Sequence, residues 1–76
     1  MEKDQQYQNI YEILTRREIE ITTLIINGLT DKEIAEKLGL SFYTVRTHHQ
    51  NILRKTQQKN ISGLINLASK NGLKSN

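Results

Sequence analysis

The chain has 76 residues, room for one small domain and not for two, and 36% of them are apolar. Cysteine, proline and tryptophan are absent, which excludes a disulfide framework and a thiolate metal centre, and the aliphatic run Leu24-Ile25-Ile26 is far too short to span a membrane. The net charge of +3 is uneven: all eight acidic residues lie at or before Glu36, so residues 1–36 carry −4 and residues 37–76 carry +7.

Such one-sided basic charge points to a polyanionic partner, with a solvated basic face as the competing reading. The N-terminus lacks the apolar core of a signal peptide, so a soluble cytoplasmic protein without membrane contact is expected. Residues 1–13 read as a polar leader, partly disordered or a short helix, in which Tyr7, Ile10, Tyr11 and Leu14 have helical spacing. Residues 14–73 form the expected domain and residues 74–76 a tail.

The first clear helix opens at Thr15, where Thr15-Arg16-Arg17-Glu18 has the pattern of a capping box. Its inward stripe is Ile21, Leu24 and Ile25, and Asn27-Gly28 ends it. A second box, Thr30-Asp31-Lys32-Glu33, opens a short helix whose inner side is Ile34, Ala35 and Leu38. Gly39 supplies a left-handed residue for a tight turn. Ser41 caps a third helix running to about Thr56, with Val45, His49 and Ile52 on one side. Asn60 caps a fourth, in which Ile61, Leu64, Ile65 and Ala68 are expected inside and Gly72 closes the end. No segment alternates like a strand, and the fold class is all-α: a compact four-helix domain.

Residues 31–50 have the spacing of a helix-turn-helix. Close crossing of two helices needs a small residue, here Ala35; the turn needs a residue tolerant of positive φ, here Gly39; the second helix needs an apolar anchor, here Val45. Set between capped helices and followed by a basic helix, this spacing favours DNA binding over an ordinary helical hairpin.

The segments Leu14-Thr15-Arg16-Arg17-Glu18, Gly28-Leu29-Thr30-Asp31-Lys32-Glu33-Ile34-Ala35, Thr44-Val45-Arg46-Thr47-His48 and Asn51-Ile52 together resemble the LuxR/GerE-type DNA-binding domain over about residues 14–68. The resemblance implies a four-helix, winged-helix-like domain without a wing, acting in a transcription regulator or as the output domain of one. It implies a third helix lying in the major groove of double-stranded DNA and a fourth forming a dimer contact, and RNA polymerase is a further candidate partner. Thr22, His49, Thr56 and Gln58 stand where the family has apolar residues, and Ile61 where it has a basic one. Replacing His49 or Thr56 by leucine is therefore expected to stabilise the domain by roughly 1 kcal/mol.

With Val45 and Ile52 facing inward, Tyr43, Arg46, Thr47, Gln50 and Arg54 turn outward. Arg46, Thr47 and Gln50 lie at the N-terminal part of the helix and are the expected base contacts, the same positions to which the resemblance points. Thr30, Lys32, Thr44, His48 and Lys55 surround them as expected phosphate contacts. A weak homodimer is expected through Gly63, Leu67 and Asn71 of the fourth helix.

Other chemistry lacks residues to carry it. His48 and His49 are adjacent, about 100° apart on a helix, and cannot share a metal. No nucleophile–histidine–acid pattern or glycine-rich phosphate loop is present, and Glu33 and Glu36 suit the helix dipole better than acid–base work. Neither an enzyme nor a cofactor or metal is expected. The alternatives are a helical protein-interaction module or a sigma-factor-like promoter-binding fragment; the salt dependence of duplex binding separates a DNA binder from the former.

Overall fold

A computed structural model describes residues 9–73 of the chain. Their elements are α1 (Ile10–Ile13), α2 (Arg16–Ile26), α3 (Asp31–Leu38), α4 (Phe42–Lys55) and α5 (Ile61–Lys70). The four helices expected from sequence are α2 to α5. The additional turn, α1, lies in the expected leader, and Ile10 from it is fully buried in the common core. Tyr7 and the tail from Lys74 onward lie outside the described residues.

Each helix begins where its sequence offers an oxygen to the orphan amides of its first turn. Thr15 and Thr30 form complete capping boxes with Glu18 and Glu33. Ser41 Oγ accepts from Thr44 N at 3.0 Å, and Asn60 Oδ1 from Gly63 N at 2.9 Å. α2 to α5 are each followed by a residue of positive φ. Gly39, at φ 69° and ψ 35°, lets α3 stop and α4 start three residues later, with Leu40 N bonded back to Ala35 O at 2.9 Å. After α4 the same role falls to Gln57, at φ 58°, the one described residue other than glycine with positive φ.

α2 is the central strut, packing against α3, α4 and α5, while α3 and α4 pack against each other. Ile21 and Ile25 of α2, Ile34 and Ala35 of α3, Val45 and Ile52 of α4 and Leu64 of α5 meet in one core. Burial of one such aliphatic side chain stabilises the fold by about 1.5–3 kcal/mol, so this cluster outweighs any single polar contact.

Two expectations about packing are corrected. In α5 the buried stripe is Leu64, Leu67 and Ala68, whereas Ile61 and Ile65 are exposed. The phase follows the core, into which Leu64, Leu67 and Ala68 pack, and Asn71, one turn after Leu67, adds a tie to α1: its Oδ1 accepts from Ile10 N at 3.2 Å and its Nδ2 donates to Leu67 O at 2.9 Å. The polar groups of α2 and α4 are not misplaced core positions either. Thr22 Oγ1 donates to Glu18 O and Thr56 Oγ1 to Ile52 O, each at 2.8 Å, and His49 Nδ1 lies 3.0 Å from Asp31 Oδ1. Satisfied in this way, they carry none of the desolvation penalty that leucine would relieve.

Candidate nucleic-acid interface

The outer face of α4 is fixed by its inner one. Val45 and Ile52, seven residues apart and fully buried, pin the helix, and the intervening geometry leaves Tyr43, Arg46, Thr47, Gln50 and Arg54 exposed. Arg46, Thr47 and Gln50 therefore form one outward array over the first and middle turns of the helix, facing outward as the spacing predicts. Arg54, at the other end, donates from Nη2 to Asn51 Oδ1 at 2.8 Å.

Arg46 is held from two sides. Its Nε lies 3.8 Å from Asp31 Oδ2, and its guanidinium carbon lies 5.8 Å from the centre of the Phe42 ring. Asp31, Arg46, His49, Gln50 and Leu53 line a cleft of about 230 Å³ between α3 and α4. Neither Asp31 nor Phe42 stood out in the sequence. The Phe42–Arg46 pair has the (i, i+4) spacing that brings helical side chains together and could have been read there. The approach of Asp31 to Arg46 depends on the crossing of two helices and has no local signature.

Of the expected phosphate contacts, Thr30, Lys32 and Thr44 are exposed and His48 is half-buried. The oxygens of Thr30 and Ser41 act as caps, and Thr44 Oγ1 accepts from Ser41 Oγ at 2.8 Å, which leaves the Thr44 hydroxyl proton outward-capable. Lys55 departs from expectation. Its Nζ donates to both oxygens of Glu18, at 3.0 Å each, and so closes α4 onto the start of α2. Glu18 is nearly inaccessible, at 4% exposure. Burial pushes its carboxyl up, but the Thr15 amide, the bonded and charged Lys55 ammonium and the Thr15 side chain together hold it below its ordinary value. Bonded to both carboxylate oxygens, the ammonium is turned toward α2 and its charge is offset by that of Glu18, which disfavours a phosphate contact.

The expected dimer residues are not gathered on an outer face. Leu67 is core, Asn71 ties α5 to α1, and a Cβ at Gly63 would run into the Gln58 side chain of the same chain. Among the described residues no group of three or more His, Cys, Asp or Glu side chains could hold a metal, and no helix is long and apolar enough to cross a membrane.

Two short-linked crossing helices, the second anchored from within and presenting polar and basic side chains outward, define a helix-turn-helix DNA-binding domain. Residues 12–68 match the family model described as bacterial regulatory proteins, luxR family. The chain belongs to that family, a non-enzymatic class of DNA-binding transcription regulators. It is 53% identical over 45 residues to the transcriptional regulatory protein LiaR of Bacillus subtilis, covering 59% of this chain and 21% of that protein. It is 43% identical over 63 residues to the oxygen regulatory protein NreC of Staphylococcus carnosus, covering 83% of this chain and 29% of that protein. The same figures hold for NreC of Staphylococcus aureus. The chain thus spans between about a fifth and a third of the length of these relatives.

Proposed function

We propose that this domain reads specific sites in double-stranded DNA by laying α4 in the major groove, and that it serves as the output domain of a transcription regulator; of its relatives, LiaR is named a transcriptional regulatory protein and NreC an oxygen regulatory protein. The observation that carries the reading is the outward array of Arg46, Thr47 and Gln50 on a helix pinned from below by Val45 and Ile52. Arginine can donate two hydrogen bonds to guanine, glutamine suits adenine, and the threonine methyl packs on thymine. Thr30, Lys32, Thr44 and His48 fit phosphates on either side of the groove. Lys55 is assigned to the fold instead.

Residues 14–73 and the turn of α1 act as the reading unit. A weak homodimer through α5 uses the exposed pair Ile61 and Ile65 rather than Leu67. Its two recognition helices would meet half-sites about one helical turn apart. A regulator of this kind works on the chromosome in the cytoplasm, with RNA polymerase as the further partner.

Selection of bound sites from random duplexes tests the reading. Arg46→Ala should remove preference at one base pair, at about 1–3 kcal/mol, whereas Lys32→Ala should weaken all duplexes alike and flatten the salt slope by roughly one unit. Loss of affinity without loss of preference in Arg46→Ala would refute the base assignment.

A further inference from the structure

We propose that Asp31 and Phe42 are positioning residues that set the base preference of Arg46. The inference rests on the reading of Arg46 as a base contact and deepens it.

A carboxylate beside an arginine on a DNA-facing surface opposes binding by its charge, so what Asp31 supplies is geometry. It occupies the first position of α3, and its side chain is 18% exposed. A carboxylate only accepts, so His49 must carry its proton on Nδ1 to bond Oδ1 at 3.0 Å. That bond fixes the rotation of the carboxylate and leaves Oδ2 pointing to Arg46 Nε at 3.8 Å. At that distance the carboxylate forms an ion pair, not a hydrogen bond, that draws the Nε edge of the guanidinium toward α3 and leaves its two terminal nitrogens outward as a fork, the donor pair that recognises guanine O6 and N7.

Phe42 closes the other side. It is 47% exposed, and its ring faces the Arg46 guanidinium, with their centres 5.8 Å apart. Tyr43 braces it edge-on, the rings 6.4 Å apart and inclined at 69°. The cation–π attraction of the ring and the charge of Asp31 together bias where the guanidinium sits. An arginine so held pays less ordering entropy on meeting the correct base and adapts less readily to a wrong one.

The test uses the 76-residue chain. Its probes are the site it selects from a random duplex pool and every single-base-pair variant of that site. Asp31→Asn and Phe42→Leu are each expected to compress the binding ratio by roughly fivefold at the one base pair that Arg46→Ala affects, with other positions unchanged. Phe42→Tyr, which keeps the ring, retains the ratio. Asp31→Asn also tightens binding to unrelated duplexes, because it removes a negative charge from the face. In an Arg46→Ala background neither substitution alters the ratio further. A merely structural role would lower affinity for all duplexes equally, and that result overturns the inference. So does an unchanged ratio in both variants at a position where Arg46→Ala changes it, which leaves the base reading standing. If Arg46→Ala itself preserves every ratio, the base reading falls and the inference with it.

Discussion

Lys55→Met cuts the clamp between α4 and the start of α2 while keeping the aliphatic stem, and its cost follows from the surroundings of Glu18. The carboxylate is 4% exposed and accepts from Thr15 N at 2.8 Å and from Lys55 Nζ at 3.0 Å. Removing one partner of a fully buried ion pair costs about 3–5 kcal/mol, and of an exposed pair about 0.2–1 kcal/mol. Here one partner is buried and the other, with 32% of its side chain accessible, lies at the rim. The Thr15 amide also stays in place. A loss of about 2 kcal/mol is expected at neutral pH, which lowers the melting temperature of so small a domain by roughly 8–16 °C.

The effect should depend on acid. The folded-state pKa of Glu18 is depressed, so its charge favours the folded state above the unfolded value of about 4.3. That contribution is lost as pH falls through the lower folded value, and the gap between wild type and Lys55→Met should narrow there. Thermal melts of wild type, Lys55→Met, Glu18→Gln and the double variant at pH 7 and near pH 3 measure both effects. The two substitutions should be non-additive by at least about 1 kcal/mol at pH 7. Additive losses, or a loss under about 0.5 kcal/mol for Lys55→Met, would refute the clamp and return Lys55 to the DNA face.

Gln57 pays the steric cost of a left-handed backbone, so Gln57→Gly should raise stability by about 0.5–1 kcal/mol in denaturant melts. Thr56 is fully buried with its hydroxyl bonded; Thr56→Leu should overpack and lose about 1–3 kcal/mol, and the nearly isosteric Thr56→Val should lose less by the same assay. Leu67→Glu places a charge in the core and should unfold the domain by circular dichroism, whereas Ile65→Glu should keep the fold and abolish self-association in sedimentation.

What could be read from the sequence divides along the chain distance of the interactions. The caps of α2 to α5 depend on residues three apart, and Thr15, Thr30, Ser41 and Asn60 all cap where their spacing says. The outward array of α4 follows from Val45 and Ile52 alone. In α5, apolar residues at 61, 64, 65, 67 and 68 surround much of the helix, and periodicity could not decide which side turned in. That decision belongs to packing against residues distant in the chain, seen also in the bond between Asn71 and Ile10, 61 residues apart. The partners of Lys55 and Arg46 were hidden for the same reason: Glu18 and Asp31 reach them only once three helices have crossed.

The bond between Ile10 and Asn71 brings the two ends of the packed unit side by side. A pull applied through both ends loads that junction and the α1–α5 seam first, as a zipper is loaded at its tab. α3 and α4 pack chiefly against each other and against α2, and reach the seam through the common core. A load carried between the two ends therefore meets this seam before it reaches the outward face of α4. The packed unit thus has its two ends gathered at one corner, where Ile10 meets Asn71.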